Sequence, residues 1–318
     1  MKHLLAALIL TVGLANMALA QPTGRIFVTN ERSDDISVID PKTLKVEATV
    51  PVGKRPRGIG FSPDGSVLYV AVSEENAIAV VDPVHLKVLR KFSAGSDPEA
   101  FAVHPNGTIY LSNEDAAKAS AIDPKTGEII VEIPVGLEPE GVAVSPDGSK
   151  VLVTSESTSM LHVIAVPGHQ ILANIVVGAR PREAIVTSDN RYAYVTAEVA
   201  GEVSKVDLND YKVLLTKSFA KIDQAKPKGV LLSRDEKTVY VAGGRAAEIL
   251  VLDAATLELK SRIPVGKRVW GLALSKDGRR LYTTDGGSDT VSVIDTGSNE
   301  VIAAIPVGEA PWGVAIHD

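Results

Sequence analysis

Tryptophan occurs only twice in 318 residues, at Trp270 and Trp312, forty-two positions apart. Stepping along the chain at about that interval reaches Arg57, Glu99, Glu140, Arg182 and Lys228. Two residues before each of these stops lie Arg55, Asp97, Glu138, Arg180, Lys226, Arg268 and Ala310. In ring order, Asp97, Glu99, Glu138 and Glu140 form an acidic arc. Arg180, Arg182, Lys226, Lys228, Arg268, Trp270, Trp312, Arg55 and Arg57 form a basic and aromatic one. Guanidinium and ammonium groups attract carboxylates, Arg by paired hydrogen bonds, and indole offers a stacking face. Such an arc could hold a flat anion, with Lys228 on one side of two neighbouring indoles and Arg57 on the other, or receive a partner's charged patch. Solvated loop charges over two packed Trp would leave the same pattern, since exposed charges need no special cause. Both accounts stay open.

A second series, Glu31, Glu74, Glu114, Glu156 and Glu198, is broken by Gly244 and Gly286. It reads as a solubilising rim or as a docking rim for a basic partner such as a small cytochrome c. A calcium site asks more, because carboxylates from separate segments must converge to about 2.3–2.6 Å from one ion.

The spacing assigns no catalytic residue. Segments GIGFS, AFAVH, GVAVS, EAIVT, GVLLS, GLALS and GVAIH follow the ring positions, and only Glu183 adds a polar side chain before the last residue. His85, His104, His162, His169 and His317 form no ligand pair at metal spacing. No G-x-S-x-G, P-loop or dinucleotide fingerprint occurs, and without Cys there is no thiolate site or haem attachment. The residues therefore favour a binding protein over an enzyme.

The elements that must position these residues repeat. In Gly141–Arg182, GVAV, KVLVT, LHVIAV and ILANIVV read as strands, with SPDG and PGH as turns. Four strands per unit at a period near forty is the signature of a β-propeller blade. Unit starts at Gly58, Ala100, Gly141, Glu183, Gly229, Gly271 and Gly313 are spaced 42, 41, 42, 46, 42 and 42. The last is only GVAIHD, and Arg25–Val52 holds three strands and lacks the first. The fragments complete one blade, so 313–318 is expected to join the N-terminal blade and close a seven-bladed, all-β ring. Asp40, Asp82, Asp123, Asp207, Asp253 and Asp295 are expected to serve turns rather than a carboxylate array.

Met1–Ala20 has the basic start, apolar run and A-x-A end of a cleavable secretory signal, leaving one domain over 21–318. A large, cysteine-free secreted domain suits a periplasm. Net charge is −6, becoming −7 without Lys2, which opposes general adhesion to nucleic acid or anionic lipid. No further membrane span is expected, and the chain reads as a monomer.

Tyr194-Val195-Thr196-Ala197, with LYVAVS, IFVTNE and ILVLD, resembles the YVTN family of seven-bladed propellers, over all of 21–318. The layout is most similar to the PQQ-dependent catabolism-associated β-propeller proteins. That resemblance implies a periplasmic, non-enzymatic accessory of quinoprotein alcohol oxidation, with a quinoprotein dehydrogenase, a cytochrome c or PQQ itself as the bound party. No cofactor is firmly implied. Some related propellers open lactones with a metal, which here would fall to Glu183, Glu140 and Glu99. Others bind single-stranded DNA, which would fall to Arg180–Arg182 and Lys226–Lys228.

Overall fold

The computed structural model describes residues 22–222 and 224–318; the secretory signal expected over 1–20 lies outside the described residues. Among the described residues, twenty-eight strands, β1–β28 in chain order, form seven four-stranded antiparallel sheets. Six sheets use consecutive strands, and the seventh runs β28 (Pro311–Ile316), β1 (Ile26–Asn30), β2 (Asp35–Asp40), β3 (Lys45–Pro51). Ile26, Phe27 and Val28 pair with Ile316, Ala315 and Val314, so the last strand supplies the first blade's innermost strand. No helix among the described residues is long and apolar enough to cross a membrane.

Turn chemistry explains the punctuation. The Asp40 carboxylate accepts from the N–H groups of Lys42 and Thr43 at 2.8 and 2.7 Å, and Asp82, Asp207, Asp253 and Asp295 repeat the arrangement. Between turns, alternate faces of each sheet bury Val, Ile and Leu against the next blade. Phe27, Ile36 and Val38, for example, meet Leu68, Val70 and Val81. The core is thus seven interblade layers rather than one centre.

One boundary differs from expectation. The innermost strands β4 (Pro56–Phe61), β8 (Pro98–Val103), β12 (Pro139–Val144), β16 (Pro181–Val186), β24 (Val269–Leu274) and β28 start two residues before the expected positions; only β20 (Val230–Leu232) starts later. A register shift between the first residue and the fourth absorbs the extra residue. Arg57, Glu99, Glu140, Arg182, Trp270 and Trp312 are therefore second residues of strands, not loop residues ahead of them.

Candidate functional site: the channel mouth

The mouth residues are held by their backbones. Thr29, Ser112, Thr154 and Thr284, on the second strands of their blades, donate to the carbonyls of Arg57, Glu140, Arg182 and Trp312 on the next blade at 2.6–3.0 Å. Thr196 does the same to Lys228. These buried hydroxyls were missed as positioning groups, although the recurrent Thr of the YVTN-like pattern was the available signal. The neighbouring glycines follow from the same close approach. A Cβ on Gly141 would sit 2.1 Å from the Arg182 carbonyl oxygen, and one on Gly229 would sit 2.3 Å from that of Trp270. Arg55, Asp97, Glu138, Arg180, Arg268 and Ala310 all take left-handed φ of 44–59° without being glycine, a conformation that costs roughly 1–2 kcal/mol each.

Trp270 and Trp312 stack on neighbouring blades, with centroids 5.7 Å apart and planes 29° apart. The expected flanks are present: Lys228 Nζ lies 3.5 Å from the Trp270 ring centroid and the Arg57 guanidinium 5.8 Å from that of Trp312. Arg182 and Arg268 also lie over Trp270, each at 5.3 Å. The indole faces are thus already occupied by the protein's own cations, and a flat molecule cannot slide between them as a bare platform would allow.

The two charged arcs do not stay apart either. Arg57 pairs with Glu31 at 2.8 Å and with buried Glu99, while Arg55 reaches Glu31, Asp97 and Glu99 at 3.3–3.5 Å. Across the ring, Arg182 contacts Glu140 at 3.1 Å, Glu198 at 2.5 Å and Glu156. Arg180 pairs with Glu156 at 2.5 Å and Lys228 with Glu198 at 2.9 Å. The glutamate series is therefore no free docking rim. Glu31, Glu156 and Glu198 turn inward as counter-ions and Glu114 is half-buried, so only Glu74 is exposed. The physical reason is reach: long side chains on adjacent inner strands neutralise one another before solvent does.

Burial and pairing then compete. Burial alone would raise the Glu198 carboxyl, but Lys228 and Arg182 hold it down to about 2. At Glu156 burial wins, aided by repulsion from Glu140, and pushes it up to about 7 despite Arg182. Burial, with Arg182 nearby, brings Lys228 down to about 8.

The mouth opens into a cavity of about 140 Å³, lined by Glu140, Arg182, Lys228, Trp270 and Trp312 together with glycine and apolar residues of the inner strands. Glu183 replaces the usual Gly there. Burial raises its carboxyl to about 7, opposed by the Val230 N–H that it accepts at 3.1 Å and aided by Glu140. A carboxyl raised this way adds stability that is full below its unfolded value of 4.5 and is lost as pH rises through about 7. Melting temperature should therefore rise as pH falls from about 8 to about 5, and Glu183→Gln should flatten part of that rise, on the order of 2–3 kcal/mol. Parallel pH profiles of the two proteins by calorimetry would show that Glu183 is ionised throughout.

The metal expectation is corrected. Glu183, Glu140 and Glu99 are not gathered; the one trio of candidate ligands within 4.8 Å among the described residues is Asp97, Glu99 and Glu114. Its central member, Glu99, is already bound to Arg57 and Arg55. His162 bonds Ser155 at 3.0 Å and Asn174 at 2.6 Å, an order that resembles a nucleophile triad. Ser155 is fully buried, however, and the Gly136 N–H occupies the same ring nitrogen. Asn113–Ser120 and Asp285–Ser292 fill the same place in other blades, so this is a structural plug.

Residues 142–301 match the family described as lactonase, 7-bladed beta-propeller. The chain belongs to that family. Residues 93–190 of this lactonase-family propeller also match the YNCE-like beta-propeller family. No curated protein matches the chain. Among solved structures, Kuenenia stuttgartiensis hydrazine synthase is 20% identical with TM-score 0.73, over 86% of this chain and 92% of that one. A functionally unknown protein from Desulfotomaculum acetoxidans DSM 771 is 17% identical with TM-score 0.81, over 92% and 98%. Dihydro-heme d1 dehydrogenase NirN, in complex with DHE, is 19% identical with TM-score 0.70, over 94% and 76%. At such identities these likenesses carry the fold alone.

Proposed function

We propose that this lactonase-family propeller is a non-enzymatic binding protein of the periplasm that serves quinoprotein alcohol oxidation, taking an anionic ligand or a partner's acidic patch at its channel mouth. The observation that carries the reading is a gap in the glutamate collar. Where the run of Glu stops, Gly286 lies against Trp270 of the stacked Trp pair, and Arg268 makes no ion pair among the described residues. A Cβ at Gly286 would meet Trp270 at 3.3 Å, so the gap and the indole belong together. Exposed Arg245 and Lys267 add positive charge in the same sector. Opposite them, the corresponding turns present Glu74 and Asp115. The face is therefore polarised, which steers and orients a charged partner such as a quinoprotein dehydrogenase or a cytochrome c.

PQQ fits this sector by its donor set rather than by volume. A cavity of about 140 Å³ is below the roughly 300 Å³ at which pockets enclose a drug-sized ligand. A fused-ring acid would lie across the mouth, its carboxylates on Arg268 and its rings against the indole edges. Both Trp of the chain are at this place, so intrinsic fluorescence reports on it alone. Titration with PQQ, corrected for inner-filter absorption with free tryptophan, should give saturable quenching that weakens with salt. Arg268→Ala should weaken it about tenfold, the worth of one charge-assisted hydrogen bond. Arg57 and Lys228, already neutralised, should matter less. Linear quenching that ignores Arg268→Ala would remove PQQ from the mouth.

Ring opening with a metal is less well supported, because the three carboxylates it would use are separated and two are bound to arginines. Single-stranded DNA fares similarly, since Arg180, Arg182 and Lys228 already have carboxylate partners.

A further inference from the structure

Each blade ends in an outer strand bonded on one side only, which leaves a row of backbone N–H and C=O groups facing out. Such edges pair with other chains unless charge or proline prevents it. The seven outer strands therefore form an internal series in which one fold position is filled seven ways. In β7 (Lys87–Ser93), β19 (Lys212–Ser218) and β23 (Leu259–Pro264) the charges are all Lys or Arg, and in β11 (Glu128–Pro134) both are Glu. β3 carries Lys45 and Glu47 and ends on Pro51. β27 (Glu300–Pro306) is nearly apolar but begins on Glu and ends on Pro. Only β15 (Ile171–Val176, ILANIV) has neither a charge nor a proline.

β15 also shows its apolar side chains to solvent. Val176 is 67% exposed, and Leu172 and Ile171 are 39% and 37% exposed. The adjacent outer strand β11 adds Ile130 and Ile129, so a large share of the molecule's exposed aliphatic surface falls on two neighbouring blades.

We propose that β15 pairs antiparallel with β15 of a second copy, joining two blades into one eight-stranded sheet across a two-fold axis. The occupant follows from charge. In an isologous contact a strand meets its own residues, so a strand with charges of one sign opposes itself. β7, β11, β19 and β23 are thereby self-repelling, whereas ILANIV is compatible with its own sequence in either register about Ala173 and Asn174. This inference is independent of the channel mouth, and it differs from the monomer expected from sequence. Six residues of pairing make a small interface, at the weak end of specific contacts, so the dimer should form over roughly 1–100 μM.

Sedimentation velocity across that range tests it directly. The unmodified protein should move from monomer toward dimer, while Val176→Lys and Leu172→Lys should stay monomeric with unchanged melting curves. Ile302→Lys, on the second most apolar edge, should dimerise as the parent does. Hydrogen exchange should show the outward-facing β15 amides, those not bonded to β14, protected at the high concentration and unprotected at the low one. A parent that stays monomeric throughout overturns the proposal. So does a dimer that survives Val176→Lys, or one whose outward-facing β15 amides exchange freely.

Discussion

Deletion of Gly313–Asp318 should yield a chain that aggregates or melts without a cooperative transition. The loss is larger than six residues imply. β28 covers the inner edge of β1, whose five residues are all buried, and Val314 and Ile316 pack into the layer around Ile26, Val28 and Tyr282. His317 stacks on Phe61 of the following blade at 4.8 Å and bonds the Gly65 carbonyl at 3.0 Å, so the tail ties two blades together. Its removal exposes an unpaired strand edge beside apolar faces, which combines lost burial with an aggregation surface. Thermal melting by circular dichroism, with light scattering to detect association, decides the matter. A truncated protein with the parent's melting temperature would mean that β28 does not close the ring.

Arg182→Leu should be the most damaging single substitution at the mouth. One guanidinium, itself only 8% exposed, serves Glu140, Glu156 and Glu198, of which the first two are buried. Removing one partner of a buried ionic group leaves uncompensated charge and costs about 3–5 kcal/mol. The penalty should depend on pH with a definite sign. Without Arg182 the Glu156 carboxyl loses a charge that opposes its burial, and its folded value rises beyond the about 7 already seen there. Stability that depends on protonation of Glu156 is full below 4.5 and disappears as pH climbs through its raised value. The variant should therefore lie closer to the parent at about pH 5 than at about pH 8. Adding Glu156→Leu should recover part of the loss, because an apolar pair replaces an orphaned charge. An equal deficit at both pH values would mean that the cost is packing rather than charge.

The fold was legible because each blade is punctuated locally. Asp at one turn and Asp or Asn at another, mostly followed by Gly, recur every forty-odd residues, and the two end fragments complement each other. The inner-strand starts were misplaced by two, although Pro opens five of the seven inner strands and was the available boundary marker. At the mouth, register placed Trp270, Trp312, Lys228 and Arg57 together. It could not show that Arg182 is sandwiched between Glu140, forty-two residues before it, and Glu198, sixteen after. Counting along one ring gives angular order, but pairing depends on side-chain reach between that ring and the glutamates at the second-strand ends. The gap at Gly244 and Gly286 was visible as a break in the Glu run; its meaning came only from Trp270 lying against Gly286.

The shared blade also sets a clock on synthesis. β3 ends at Pro51 and β28 begins at Pro311, a separation of 260 residues. At roughly 5–20 residues per second, the first three strands exist for about ten to fifty seconds before their inner partner has been translated. During that interval the apolar strand IFVTN has no inner partner to pair with. Nascent chains of this protein should therefore bind a holdase through their N-terminal hundred residues or so, and release should track completion of β28 rather than overall chain length.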